Sequence, residues 1–366
     1  MRKLLFFLLL AATIGVKAQI TFPPDGNKKA SVSEEIGITK VSIEYSRPGV
    51  KGREGKIWGN LVHFGFADLH YGTSKAAPWR AGANENTTIE FSTEAFVEGK
   101  PIPAGKYGFF IAMGPEKATV VFSKFNTSWG SFYYDSAYDA LRVEVPVIKT
   151  NESVERLKYE FENQTDSTAD ITLQWEKVKV PFKVSVDLKQ TLIASYRREF
   201  NSGIFYRYWQ NMQMAANYCL VNNINLEEGL SWADRSIHTY FGESNFLTLS
   251  TYAGLLEKFD REREADSLMK IAIPMATSLQ LVVYGDGLNK QKKHEEAMKI
   301  FKINYDKFPT DNYSLLGMVM GNYFLNKKSE AIKFAEKGKK ESKDPGWQGY
   351  FGSLASDISS GKEMFK

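Results

Sequence analysis

Cysteine is nearly absent, with Cys219 the single example in a chain of 366 residues. One thiol cannot close an intrachain disulfide, so the fold must rest on packed cores. Cys219 sits in Ala215-Ala216-Asn217-Tyr218-Cys219-Leu220, an apolar stretch at helical spacing, which suits a small buried hydrophobe better than a reactive thiol. Histidine is scarce as well: the four residues are 63, 70, 238 and 294. A multi-histidine metal site would need most of them. His63, Asp68 and His70 form one grouping with no further ligand signature, so neither a metal nor a cofactor is expected. His294-Glu295-Glu296-Ala297-Met298 starts like a zinc-protease helix but has no second histidine one turn on. Gly-x-Ser-x-Gly elbows are missing, and Gly285-Asp286-Gly287-Leu288-Asn289-Lys290 lacks the spacing and hydroxyl of a phosphate loop.

Net charge is also slight, at +4 from 47 basic and 43 acidic residues. Losing Arg2, Lys3 and Lys17 with a leader would leave 44 basic residues against 43 acidic ones. A near-neutral chain offers no electrostatic case for nucleic acid. Long apolar runs are confined to the N-terminus, where Arg2-Lys3 precede Leu4 to Val16 and Val16-Lys17-Ala18 offers short residues to a signal peptidase. We read residues 1–18 as a signal peptide cut before Gln19. The run is about 13 residues, short of the ~20 that span a bilayer, and nothing later could span one. No cysteine follows the cut, so N-terminal lipidation is not expected. The destination is exported, periplasmic or extracellular.

What is present divides by period. From about Ala30 to Val186 the apolar residues alternate, as in Leu141, Val143, Val145 and Val147, or Leu157, Tyr159 and Phe161. Ile171, Leu173 and Trp175 make another half-buried strand, and Val178, Val180, Phe182, Val184 and Val186 a further one. Shorter runs at 41–45, 88–91, 107–111 and 119–122 are separated by turns such as Glu98-Gly99-Lys100. Many short strands without intervening helices predict an antiparallel β-sandwich or barrel over residues 19–186.

After Asp187 the period becomes helical. Glu296-Ala297-Met298-Lys299 and Glu330-Ala331-Ile332-Lys333 stand 34 residues apart, the period of tetratricopeptide repeats. Gly285, Phe301 and Pro309 take that repeat's small-residue, aromatic and proline places, and Gly229 and Ala265 mark two weaker units. Small residues recur where antiparallel helices must cross closely. Asn225 with Glu228 reads as a capping box, and Gly338 to Gly346 as a capping or fraying terminal helix. Residues 187–366 are therefore expected to form a tetratricopeptide-like array of helical hairpins, making the chain multidomain, all-β plus all-α.

One β region has more chemistry than packing requires: Ser46-Arg47-Pro48-Gly49-Val50-Lys51-Gly52-Arg53, then Trp58, then Pro78-Trp79-Arg80-Ala81-Gly82-Ala83-Asn84-Glu85. Arg47, Lys51, Arg53 and Arg80 supply forked or point-like donors beside glycines that permit close approach, and Trp79 could stack on a ring. With Asn84 and Glu85 these are the candidate ligand-binding residues, for an anionic or sugar ligand. The alternative places the tryptophans in the core and leaves the arginines solvated or paired with Glu54 and Glu85.

The blocks Tyr45-Ser46-Arg47-Pro48-x-Val50-Lys51-Gly52-Arg53, Trp79-Arg80-x-Gly82-Ala83-Asn84-Glu85, Pro103-Ala104-Gly105-x-Tyr107 and Trp129-Gly130 resemble the bacterial family catalogued as domain of unknown function 2911, over residues 30 to 186. The resemblance implies an exported β domain and no defined activity. Extra residues between Phe66 and Ala77 depart from the family pattern. The function expected is that of a non-catalytic binding or scaffold protein, its helical repeats engaging a protein or peptide partner. The alternative is a ligand-binding or hydrolytic β domain in which Glu85 or Asp68 acts as general base.

Overall fold

The computed structural model describes residues 26–203 and 207–365; the leader expected at 1–18 lies outside them. The chain divides into two compact units after Ala194. The first is all-β. Its strands are β1 (Lys28–Ile36), β2 (Thr39–Arg47), β3 (Thr87–Phe91), β4 (Ala95–Val97), β5 (Lys100–Ile102), β6 (Gly105–Ala112), β7 (Lys117–Ser123), β8 (Asp139–Pro146), β9 (Ile148–Glu162) and β10 (Thr168–Ser185). They form a six-stranded sheet ordered β1-β2-β3-β6-β7-β8 and a four-stranded sheet ordered β5-β4-β10-β9. Every pairing is antiparallel.

Alternation decides which face is buried. On β2, Val41, Ile43 and Tyr45 turn inward while Lys40 and Glu44 stay exposed. Inward residues of both sheets share one core, so the sandwich, rather than a barrel, is the architecture. Aromatic rings knit the layers together: Phe109 meets Phe182 at 5.5 Å and Tyr45 meets Tyr159 edge-on at 4.8 Å. The turn at Glu98-Gly99 is real, with both residues at positive φ (49° and 75°), the two-residue geometry that matches strand twist.

The runs 171–175 and 178–186 are one strand, not two. Inward positions are odd up to Trp175 and even from Val178 onward, a change of phase that a continuous strand cannot make. A bulge at Glu176 makes it: the register shifts on either side, and Glu176 itself adopts φ 51°. Its buried carboxylate accepts hydrogen bonds from the Gly55 and Lys177 amides and the Trp58 indole, anchoring the 53–58 loop.

The second unit is helical, and its first helix starts at Leu188, ahead of the division. The helices are α1 (Leu188–Asn201), α2 (Trp209–Asn222), α3 (Leu226–His238), α4 (Phe246–Glu257), α5 (Glu262–Met275), α6 (Ser278–Lys290), α7 (His294–Lys307), α8 (Asn312–Phe324), α9 (Lys328–Glu341) and α10 (Pro345–Ser359). From α2 to α9 they run as four hairpins led by the helices beginning at 209, 246, 278 and 312, and α10, beginning at 345, takes the next leading place with no return helix after it among the described residues. Asn245, Thr277, Asp311 and Asp344 cap leading helices with their side chains, satisfying amides that the helix cannot. Ala265, Ala297 and Ala331 are buried on the return helices, where close crossing demands small residues. Phe301 is fully buried against Gly285 of α6 and Gly317 and Gly321 of α8.

Two sequence expectations change here. Asn225 takes the left-handed conformation (φ 48°) and makes no side-chain cap, because Arg197 draws both Asn225 Oδ1 and the Glu228 carboxylate to itself. The end of the chain does not fray at Gly338: α9 continues to Glu341, and α10 buries Phe351, Leu354, Ala355 and Ile358. Cys219 is buried as expected, and burial pushes its thiol up to about 11. No helix among the described residues is long and apolar enough to cross a membrane.

Candidate ligand-binding site

The seven candidate residues fall into three places. Arg47 ends β2, and Lys51 and Arg53 belong to the 48–57 loop that follows, which lies along β9: the Val50 amide donates to Glu155 O and the Leu157 amide to Pro48 O. Arg47 Nε donates to Leu157 O at 2.8 Å, and Arg53 donates to the carbonyls of Val50 and Gly49 at 3.0 and 2.7 Å. Lys51 adopts φ 51° and its amide donates to Glu155 Oε1. Guanidinium donors committed to backbone carbonyls hold the loop in place. The anticipated partner carboxylates of Glu54 and Glu85 are not the ones they use.

Trp79 is a core residue. Its ring stacks on Trp175 at 6.1 Å, meets Trp58 edge-on at 5.7 Å, and its indole N–H donates to Gly82 O. Arg80 leads outward from this cluster. Its guanidinium donates to Asn84 O at 2.6 Å and lies over the Phe132 ring at 5.1 Å. It also packs directly against Gly130, where an added Cβ would stand 2.4 Å from Arg80 Cζ. Gly130 has φ 71°, so backbone conformation and space both require glycine there. Partial burial lowers the Arg80 pKa.

Glu85 opens onto a cleft of about 920 Å³ over the outer face of the six-stranded sheet. Its floor is a cross-strand row: Ser31 opposite Glu44, and Glu44 opposite Thr88. Lys106 of β6 reaches over the floor to pair with Glu44 at 2.8 Å, and Lys29 of β1 pairs with Glu85 at 2.9 Å. The opposite wall is the 126–129 segment, ending in Trp129, whose surface is 59% exposed. That wall is pinned. Asn86 and Ser128 exchange two hydrogen bonds (3.0 and 2.9 Å), and Asn126 Nδ2 donates to Lys106 O at 2.7 Å. Gly108 of β6 lets the loop lie on the sheet, since a Cβ there would meet Phe125 O at 2.4 Å.

The cleft carboxylates are held ionised. For Glu44 the Lys106 hydrogen bond and charge outweigh the cost of burial, and its pKa falls. For Glu85 burial pushes upward, yet the Lys29 hydrogen bond, its own backbone amide and the Lys29 charge prevail and lower it. Both pairs are solvent-exposed, so each contributes about 0–1 kcal/mol to stability and can be rearranged cheaply by a ligand.

Residues 27–184 match the family described as Protein of unknown function (DUF2911). No curated protein matches the chain. The matched segment contains the whole cleft, and two of its sequence blocks meet in space where Arg80 supports Gly130. The segment from Phe66 to Ala77 is a loop bridged at Ala67 and Ala77, with Gly72 and Ser74 against Phe132. Within it His70 stands 3.8 Å from Asp68, whose other oxygen takes Lys75 at 3.1 Å. Lys29, Glu44, Lys106 and Trp129 were not picked out as site residues from sequence. Glu44 and Lys106 are outward positions of alternating strands, and their juxtaposition depends on register, which only the pairing of β2 with β3 and β3 with β6 establishes.

Proposed function

We propose that the protein is a non-catalytic binding protein whose β domain takes a small polar ligand in the cleft between Lys29 and Trp129. The observation that carries this reading is the state of the cleft's two carboxylates, each paired with a lysine and held below its ordinary pKa. A general base works best with a pKa near the operating pH, and a general acid needs a raised one. Glu44 and Glu85 have neither property and serve as fixed acceptors. Asp68 is likewise lowered, first by the His70 amide and then by Lys75.

In the same reading the helical unit is a tetratricopeptide-type scaffold for a peptide or protein partner. Leading helices starting at 246, 278, 312 and 345 keep close to the 34-residue period, and α6 leaves Leu279 and Val283 exposed. Export beyond the cytoplasmic membrane belongs to the reading too, supported by the basic and apolar leader sequence.

The test is a thermal-shift screen of small polar compounds on the full chain. Stabilisation by a bound compound should disappear in Lys106→Glu, which places two carboxylates face to face. Turnover of chromogenic esters, phosphates or glycosides that vanishes in Glu44→Gln or Glu85→Gln would overturn the non-catalytic assignment.

A further inference from the structure

The cleft's chemistry narrows its ligand class, and this step rests on the binding reading above. We propose that the cleft is a carbohydrate site that holds a neutral oligosaccharide with one sugar ring stacked on Trp129.

Charge excludes the other classes first. The lining carries two ammonium groups and two carboxylates in close pairs, so an anion meets as much repulsion as attraction, and so does a cation. The floor of Ser31, Glu44 and Thr88 is too polar for an apolar ligand, whose burial there would strip water from groups it could not hydrogen-bond. Each Lys–Glu pair instead presents a donor and an acceptor side by side. A sugar hydroxyl is both donor and acceptor, so neighbouring hydroxyls can accept from the ammonium and donate to the carboxylate without leaving either ion unpaired.

Trp129 supplies the apolar half. Exposing a large ring is costly unless something covers it, at about 25 cal/mol for each Å² left in water. The ring is nonetheless presented on a rigid mount: Ser128 is clamped by Asn86, Asn126 is tied to β6, and Gly130 rests on the Arg80 guanidinium. The negative face of an aromatic ring attracts the slightly positive C–H face of a pyranose, and a ring already fixed loses little entropy on binding. A volume of about 920 Å³ is near the top of the range of about 300–1,000 Å³ that ligand sites occupy, which points to several linked sugars rather than one.

The experiment uses full-length protein labelled with 5-fluorotryptophan, whose seven tryptophans give separate fluorine signals. The Trp129 signal is assigned by its loss in Trp129→Phe. The probes are neutral oligosaccharides of glucose, mannose, xylose, galactose and N-acetylglucosamine, with dipeptides and dicarboxylates as comparison ligands. The expected result is a saturable shift of the Trp129 signal with at least one oligosaccharide. Affinity, measured by titration calorimetry because the Trp129 variants lack that signal, should fall at least tenfold in Trp129→Ala and less in Trp129→Phe, with a further loss in Glu44→Gln. Shifts with dipeptides or dicarboxylates alone would overturn the carbohydrate assignment and leave the cleft a binding site. No shift with any probe would overturn both, and saccharide binding that survives Trp129→Ala would place the site elsewhere.

Discussion

Two glycines of α6 separated by one residue should respond to alanine in opposite directions. Alanine is favoured over glycine in a helix interior by about 1 kcal/mol, so an unobstructed site gains that amount. Gly287 is such a site, with nothing within 4 Å of an added Cβ. At Gly285 the same Cβ would stand 2.3, 2.7 and 2.9 Å from three atoms of the Phe301 ring. Carbon atoms rest about 3.5–4.0 Å apart, so the overlap exceeds an ångström. The ring cannot retreat, because Gly317 and Gly321 confine it from α8. Overpacking of this kind costs about 1–3 kcal/mol, which outweighs the propensity gain and leaves Gly285→Ala less stable by up to about 2 kcal/mol. The assay is guanidinium unfolding of the full chain followed by the helical far-ultraviolet signal. Gly287→Ala should raise the midpoint and Gly285→Ala lower it, and Phe301→Leu in the Gly285→Ala background should recover part of the loss through coupling. Equal responses at the two glycines would refute the account of Phe301 as the residue that dictates small neighbours.

Further outcomes follow from other parts of the molecule. Gly130→Ala should disturb the Trp129 fluorine signal even without ligand, since it forces a side chain into a positive-φ position against Arg80; an unchanged signal would mean that Arg80 does not seat the platform. Glu44 and Glu85 have lowered pKa values, so their ion pairs stabilise the fold above the unfolded carboxylate value of about 4.3 and the contribution is lost as pH falls through the folded values. Ligand affinity measured by titration calorimetry should therefore drop below about pH 4. Cys219 behaves in the opposite sense: its raised thiol pKa favours folding fully below about 8.5, and that contribution is lost as pH rises toward about 11. Alkylation of Cys219 by iodoacetamide at pH 8 should accordingly require unfolding, and rapid labelling of the native protein would contradict its burial.

Much of the architecture is written locally. Alternating positions such as Val41, Ile43 and Tyr45 declare a half-buried strand without reference to any neighbour, and the small residues at Ala297 and Ala331, 34 apart, mark the helical half, although its side-chain caps stand at Asn245, Thr277, Asp311 and Asp344 and not at Asn225. Glu98-Gly99 marks its turn because few residue pairs accept two positive φ angles. The single strand β10 was not legible, since a bulge reads as two strands of opposite phase until the partner β9 is known. The candidate site was the least legible part. Arg47 and Arg53 have the composition of an anion site, yet Arg47 Nε and Arg53 Nε and Nη2 donate to the carbonyls of Leu157, Val50 and Gly49, and no sequence spacing reveals where a guanidinium directs its hydrogen bonds. Conversely, Glu44 and Lys106 lie 62 residues apart and become neighbours only because β3 separates β2 from β6.

The bulge at Glu176 bears on how this chain can change in length. The change of phase there sets the parity of everything that follows in β10, so deleting or adding a single residue between Trp175 and Val178 would send Val178, Val180, Phe182 and Val184 to the outer surface. Substitution can proceed through that stretch one side chain at a time, whereas insertion and deletion cannot. The 66–77 loop obeys no such parity, for its ends are bridged at Ala67 and Ala77 whatever lies between them. Lineages descended from this protein should therefore differ in length at that loop and hold the count of residues from 175 to 178 constant.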